Sequence, residues 1–177
     1  MFGVSYTPAA MNSERPIIRD LERSGTDVTL EVLGYLGVVL LVGISVYYYP
    51  RLPETIPRHF NFKGEADGWG GKGGLLIMPI IGVALFILLS VLAQFPHVFN
   101  YPWPITESNA RRQYAISRQM LSAVKLMLIA TFTCITWSMI GTALGIRSGL
   151  GTGFMIVQPP LLFAIIGFYL FRAKRAQ

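Results

Sequence analysis

Four long apolar runs constrain the fold of this chain more than any other feature of its sequence. They cover residues 30–49, 74–95, 121–144 and 154–171. At a rise of about 1.5 Å per residue, a helix of about 20 apolar residues crosses the roughly 30 Å hydrocarbon core of a bilayer. The runs contain only two charged residues, Glu31 and Lys125. The sequence therefore predicts an all-α integral membrane protein with four transmembrane helices.

The composition excludes an ordinary soluble domain. Hydrophobic residues make up 53% of the chain and charged residues only 14%, against about 25% charged in typical soluble domains. No cleavable signal peptide is expected, because the first apolar run is too long for one. The single cysteine, Cys134, excludes an intrachain disulfide and is expected to be a small core residue.

The basic residues beside the runs predict the orientation in the membrane, since they concentrate on the cytoplasmic side. Ten fall on the side of the termini and five on the other side. We therefore expect both termini in the cytoplasm and the loop between the first two spans outside. The charges lie on both faces, so the net charge of +6 does not indicate nucleic-acid binding. The basic C-terminal tail is instead expected to contact membrane lipids. The ten are Arg15, Arg19, Arg23, Arg111, Arg112, Arg118, Lys125, Arg172, Lys174 and Arg175, and the five are Arg51, Arg58, Lys63, Lys72 and Arg147.

The polar loop between the first two runs, residues 52–72, is long for a simple helix connection. His59 and Phe60 could form a short strand. Asn61 and Gly64 occupy the positions that a type I turn favours, and Asp67-Gly68 indicates a second turn. The sequence therefore predicts a structured extracytoplasmic loop.

The side chains of this loop allow several interpretations. His59, Glu65 and Asp67 are of the types that bind zinc, but their spacing matches no metal motif, so we predict no metal, no cofactor and no catalytic residue. In one interpretation, His59, Asn61 and Asp67 only satisfy backbone groups in the turns. Alternatively, they form a surface that binds a ligand, a peptide or a protein partner. That surface would comprise His59, Phe60, Asn61, Glu65, Asp67 and Trp69.

The segment before the first run, residues 1–29, also leaves two alternatives. Ile17, Ile18 and Leu21 could form an amphipathic turn on the membrane surface, or the segment could be a disordered tail. Asp27 or Thr29 is expected to cap the first helix. Lys125, in the third run, is expected to extend its ammonium group back to the headgroups.

Two further patterns concern the spans themselves. Pro79 is expected to kink the second span, and Pro159-Pro160 to break or kink the fourth. Small residues recur at four-residue spacing in the third span, which allows close helix packing in lipid. This stripe serves either packing within the chain or a homo- or hetero-oligomer seam. Its members are Ala130, Cys134, Ser138 and Thr142.

The loop carries a dense motif that resembles a known family. Its residues are Leu52-Pro53, Ile56 to Asn61, Gly64 to Gly70 and Lys72, and a second element follows at Asn100-Tyr101-Pro102, Ile105 to Glu107 and Asn109 to Tyr114. Both are similar to elements of domain of unknown function family 1648. The chain then divides into a cytoplasmic segment (residues 1–29), a hairpin (30–95) with the motif loop (50–73), and a second hairpin with a basic tail (96–177).

This resemblance implies a multi-pass protein of the bacterial inner membrane. Some relatives are immunity and signalling proteins against a sporulation-delay toxin, and they carry a C-terminal module that has no counterpart here. We therefore expect a non-enzymatic recognition, immunity-like or signalling protein that acts through its outer loop. The alternative is an accessory or structural subunit of a larger membrane complex.

Overall fold

The computed structural model describes residues 15–177 and is mostly helical. Four helices, extended in two cases by short 3-10 turns, are long and apolar enough to cross a membrane. The predicted four-span, multi-pass architecture is therefore confirmed. The helices are α1 (Gly25–Tyr48), α2 (Ile77–Leu92), α3 (Ala110–Ala143) and α4 (Thr152–Arg175).

The long helix α3 lies at the centre, because α1, α2 and α4 all pack against it. Leu41 of α1, Phe86 of α2 and Ile129 of α3 form one buried apolar cluster. Two glycines allow these helices to approach closely. A Cβ atom would lie 2.8 Å from the Phe86 ring at Gly34 and 2.9 Å from Leu41 at Gly82.

The loop between α1 and α2 forms a two-stranded antiparallel sheet, with strands β1 (Thr55–Phe60) and β2 (Ala66–Gly71). This β-hairpin packs over the connection between α3 and α4. We call this side of the molecule the hairpin end. The opposite side, the termini end, holds residues 15–24, the α2–α3 connection and the C-terminus of α4. The predicted structured loop is thus present, and the short strand expected at His59-Phe60 is the end of β1.

The prolines disturb the spans less than the sequence suggested. Pro79 is the third residue of α2, in the first turn, where backbone N–H groups have no intrahelical acceptor. The expected kink is therefore a helix start, preceded by a 3-10 turn at Lys72–Leu76. The helix α4 continues through Pro159 and Pro160, so the predicted break is wrong. Neighbouring groups can compensate a lost helical hydrogen bond within a membrane span.

The N-terminal segment is packed against the bundle from Arg15 onward. Ile18 and Leu21 contact the buried cluster of Tyr101, Ala110 and Tyr114. These contacts partly bury Ile18 and Leu21 against protein, whereas Ile17 is exposed. For residues 15–24, the disordered tail is therefore wrong and the amphipathic turn does not form, whereas residues 1–14 lie outside the described part of the chain.

Hydrogen bonds fix the same segment in place. Arg15 Nη1 donates to the Phe99 carbonyl at 2.5 Å, and the Tyr114 hydroxyl donates to the Pro16 carbonyl at 3.1 Å. The segment ends at Ser24, which is the N-cap of α1. Asp27 completes a capping box with Ser24, so neither Asp27 nor Thr29 is the cap itself.

Candidate functional sites at the two ends of the bundle

The pairing of β1 with β2 contains two register shifts, which set the direction of its polar side chains. Pro57 lies opposite Trp69, His59 opposite Gly68, and Phe60 opposite Ala66, so Arg58 and Asp67 are the extra residues. The predicted turn at Asp67-Gly68 is therefore wrong, because both residues belong to β2. The bulged Asp67 places Oδ1 2.5 Å from His59 Nδ1 on the exposed face. The irregular register thus builds a cross-strand pair of His59 and Asp67.

The turn between the strands depends on Asn61. Gly64 N–H donates to the Asn61 carbonyl at 2.8 Å, as in the predicted type I turn. Asn61 Oδ1 accepts from the N–H groups of Lys63 and Glu65 at 2.9 and 3.0 Å. Its Nδ2 donates to Glu65 Oε2 at 3.0 Å. Asn61 and Glu65 therefore support the turn.

An apolar cluster anchors the base of the hairpin to the helices. Ile56 of β1 is fully buried with Leu75, Met139 and Ile140. Phe60 packs against the same cluster. Of the predicted recognition residues, Phe60 thus has a packing role that joins β1 to α3.

The tip of the hairpin is attached to the turn between α3 and α4. The Gly64 carbonyl accepts from Leu150 N–H at 2.7 Å, and Thr152 Oγ1 donates to the Lys63 carbonyl at 3.0 Å. Gly64 has φ of 76°, and a Cβ there would lie 2.6 Å from Gly151 N. Only glycine fits this contact, and the two hydrogen bonds with the close backbone packing fasten the tip to the bundle.

Two aromatic side chains project from the hairpin. Phe62 is 93% exposed and Trp69 is 55% exposed. Phe62 was not among the predicted recognition residues. Its place in the Asn61–Gly64 turn was the available signal, because a central turn residue points away from the strands. The outer surface of the hairpin therefore comprises Phe62, Trp69 and the pair of His59 and Asp67.

The hairpin does not bring together His59, Glu65 and Asp67, the three residues considered as metal ligands. His59 pairs with Asp67, whereas Glu65 bonds to Asn61. Across residues 15–177, no three histidine, cysteine, aspartate or glutamate side chains come together.

The termini end holds a polar cavity of about 390 Å³ that the sequence analysis did not anticipate. It lies between the first turns of α1, the end of α2 and the middle of α3, beneath residues 18–23. Its charged and polar lining consists of Arg19, Arg23, Asp27, Glu31, Ser90, Gln94, Arg118, Ser122 and Lys125.

Lys125 forms the floor of this cavity and does not extend to the headgroups as predicted. Its side chain is 2% exposed. Nζ donates to Glu31 Oε1 at 2.7 Å and to Ser90 Oγ at 2.9 Å, and it lies 4.8 Å from the Phe86 ring centroid. Ser122 also donates to Glu31, at 2.7 Å. The two charges found within the apolar runs are therefore partners, which their sequence separation concealed.

A second ion pair closes the side of the cavity. Arg118 Nε donates to Asp27 Oδ1 at 3.0 Å. Its Nη atoms donate to the carbonyls of Leu21 and Glu22 at 2.9 and 2.5 Å. Gln119 Nε2 donates to Ser24 Oγ at 2.9 Å. These bonds join α3 to the start of α1 and to the segment before it.

Tyr101 packs next to this region in the α2–α3 connection. Its hydroxyl donates to the Pro96 carbonyl at 2.9 Å. Burial disfavours the phenolate and raises the pKa of Tyr101 to about 12. The phenol therefore stays neutral and serves as a packed donor.

The small-residue stripe of α3 divides into two halves. Ser138 is buried and accepts from Arg147 Nη1 at 3.4 Å, and Thr142 is partly buried. Ala130 and Cys134 are exposed and line a groove of about 400 Å³ beside α4. The expectation that Cys134 is a core residue is therefore wrong.

Comparison with known proteins agrees with the resemblance drawn from the motif. Residues 36–83 match the family model described as domain of unknown function (DUF1648). This range contains most of α1, the whole hairpin and the start of α2. An uncharacterized protein of Archaeoglobus fulgidus is 28% identical over 148 residues, which is 76% of this chain and 75% of the relative. No solved structure matches the chain. The chain is thus a multi-pass membrane protein of four helices, and residues 36–83 of it are similar to the DUF1648 family.

Proposed function

We propose that this protein is a non-enzymatic recognition protein of a bacterial-type plasma membrane, and that its β-hairpin binds a protein or peptide on the extracytoplasmic side. The observation that carries the proposal is the combination of a rigid hairpin and an exposed aromatic surface. Phe62 and Trp69 are exposed although the strands beneath them are fixed to the bundle. Aromatic side chains on a rigid support are typical of binding hot spots.

The pair of His59 and Asp67 supports the same proposal. It lies on the exposed face near Trp69, and the His59 and Asp67 side chains are 71% and 44% exposed. An imidazole beside a carboxylate offers both a donor and an acceptor to a partner. The hairpin therefore combines apolar contact area with directional polar groups.

Photo-crosslinking in native membranes tests this function. A photoreactive phenylalanine analogue at position 62 should give a defined protein adduct. The same analogue at Phe163, which is 72% exposed on α4, is the matched control and should give a different pattern. The adduct at position 62 should be lost in His59→Gln and Asp67→Asn. Identical patterns at the two positions, or no effect of these substitutions, would refute the proposal.

The orientation needs its own measurement. In a Cys134→Ser background, a membrane-impermeant maleimide should label Phe62→Cys in intact cells and label Gln177→Cys only after lysis. The expected result follows from the excess of basic residues at the termini end. Labelling of Gln177→Cys in intact cells would place the C-terminus outside the cell and contradict the predicted orientation.

The second candidate function is that of a subunit in a larger complex. The exposed half of the α3 stripe, Ala130 and Cys134, favours it, because small residues let another helix approach closely. Since Cys134 is the single cysteine, mild oxidation of membranes should crosslink two copies if the stripe forms a symmetric seam. Cys134→Ser is the control for the crosslinked band. A monomer after oxidation would exclude self-association through this seam.

A further inference from the structure

The polar cavity at the termini end has an excess of positive charge. Its two carboxylates are already neutralised, Glu31 by Lys125 at 2.7 Å and Asp27 by Arg118 at 3.0 Å. Two more cations, Arg19 and Arg23, also line it. The lining therefore carries a net charge of about +2.

Arg19 and Arg23 lie at the exposed rim. Neither makes an ion pair or a hydrogen bond with another side chain among residues 15–177. By contrast, Arg118 and Lys125 are fully engaged with protein acceptors. The rim thus offers two guanidinium groups that suit a phosphate or carboxylate.

The position of the cavity relative to the membrane indicates that this anion belongs to a lipid headgroup. The helix α1 begins at Gly25 but its apolar run begins only at residue 30, so its first turn extends beyond the hydrocarbon core at the termini end. The cavity, beside this turn and the C-terminal end of α2, therefore has its rim at headgroup depth and its floor at Lys125 within the spans.

The seam between α1 and α2 also provides room for an acyl chain. Farther toward the hairpin end, the same seam holds an apolar groove of about 530 Å³ with almost no polar atoms. Its lining includes Val42, Val46, Ile80, Val83 and Ile87. A cationic cavity at headgroup depth and an apolar groove along one seam match the two parts of a phospholipid.

We propose that this cavity binds the headgroup of an anionic phospholipid, with Arg19 and Arg23 as the phosphate contacts. The Glu31–Lys125 and Asp27–Arg118 pairs form the wall behind the headgroup, and one acyl chain lies against the α1–α2 seam. The proposal is independent of the function assigned to the hairpin at the other end.

Lipid binding to the full-length protein in mild detergent tests the proposal by native mass spectrometry. Phosphatidylglycerol and phosphatidylcholine of identical acyl chains are compared for the wild type, for Arg19→Gln/Arg23→Gln and for Lys174→Gln/Arg175→Gln. The last variant loses the same charge at the same end, but outside the cavity. Thermal unfolding of each variant verifies that it is folded. A further arm adds glycerol phosphate, which has the headgroup chemistry without acyl chains.

We expect the wild type to prefer phosphatidylglycerol. Arg19→Gln/Arg23→Gln should weaken its binding by about 30-fold, the equivalent of about 1 kcal/mol for each arginine. The tail variant should retain most of the preference, and glycerol phosphate should compete poorly.

Three results would overturn the proposal. The first is equal binding of the two lipids by the wild type. The second is an equal loss of binding in the rim and tail variants, which would indicate general attraction to the basic end. The third is binding of glycerol phosphate as tight as that of the lipid, which would assign the cavity to a free phosphate compound.

Discussion

Lys125 Nζ lies 2.7 Å from Glu31 Oε1, and this ion pair joins α3 to α1 within the apolar part of the bundle. Ser90 of α2 also accepts from Lys125, so one ammonium group connects three helices. A charge at this depth is costly unless it is paired. The pair therefore explains how two charged residues occur in otherwise apolar runs.

Removal of one partner should destabilise the bundle unequally. Glu31→Leu leaves an ammonium that is 2% exposed without its carboxylate, and we expect a loss of about 3 kcal/mol in the free energy of unfolding. Lys125→Met should cost less, because Glu31 is 21% exposed and keeps its bond from Ser122. Unfolding in mixed micelles of increasing denaturing detergent measures both values.

The double variant and a surface pair complete this experiment. Glu31→Leu/Lys125→Met should be more stable than Glu31→Leu alone, since no charge is left behind. At the hairpin end, Glu54→Gln removes the partner of Lys72 at an exposed site, and the loss should be much smaller than that of Glu31→Leu because water screens the pair. Equal costs for Glu31→Leu and Glu54→Gln would contradict a buried pair.

Gly64→Ala should loosen the tip of the hairpin. The φ of 76° disfavours an L side chain by about 1 kcal/mol, and the added Cβ would meet the Gly151 backbone at 2.6 Å. We expect faster tryptic cleavage at Lys63 and a lower unfolding temperature. Gly43→Ala is the control, because nothing lies within 4 Å of that position and alanine favours helix. Equal cleavage rates would show that the tip is not held by this contact.

Gln113→Leu should weaken the attachment of α4. Gln113 is fully buried, accepts from Trp103 Nε1 at 3.0 Å and donates to the Ala173 carbonyl at 2.8 Å. The substitution leaves the Trp103 indole N–H without its acceptor, whereas the Ala173 carbonyl keeps its bond from Ala176 N–H, and we expect a loss of about 1–3 kcal/mol. Gln94→Leu, at an exposed position, should change stability by less than about 0.5 kcal/mol. Comparable effects of the two substitutions would refute the role of Gln113.

Tyr101 should make stability depend on alkaline pH. Its folded pKa of about 12 exceeds the ordinary value of 10.0, so the native state favours the neutral phenol. This contribution is complete below pH 10 and is lost as the pH rises toward 12. The tyrosinate absorbance that develops near pH 12 should decrease in Tyr101→Phe and stay unchanged in Tyr47→Phe. An unchanged amplitude near pH 12 in Tyr101→Phe would contradict the assignment.

The sequence predicted the spans and the turn well because both depend on local chemistry. Long apolar runs require helices in lipid, and Asn61 with Gly64 at positions one and four favours a type I turn. The prediction of a second turn at Asp67-Gly68 was wrong because strand pairing with β1 outweighed a local turn preference. The residues with which a strand pairs lie elsewhere in the chain, so a local sequence pattern does not show them.

The two candidate sites also differ in whether the sequence indicated them. The hairpin stood out because polar and glycine-rich segments are easily seen between apolar runs. The cavity did not, because its residues come from four separate parts of the chain. Lys125 and Glu31 are 94 residues apart, and Arg118 and Asp27 are 91 residues apart. Lys125 alone suggested a headgroup contact, and Asp27 alone suggested a helix cap.

The sequence by itself determined that the chain crosses a membrane four times and carries a structured polar loop, since hydropathy and turn chemistry act over neighbouring residues. Only the tertiary structure decided which charges are partners, where Phe62 points, and that Arg19 and Arg23 face a shared cavity. Those features depend on how helices distant in the chain pack around α3. Burial of a charge is tolerated only where that packing supplies its partner.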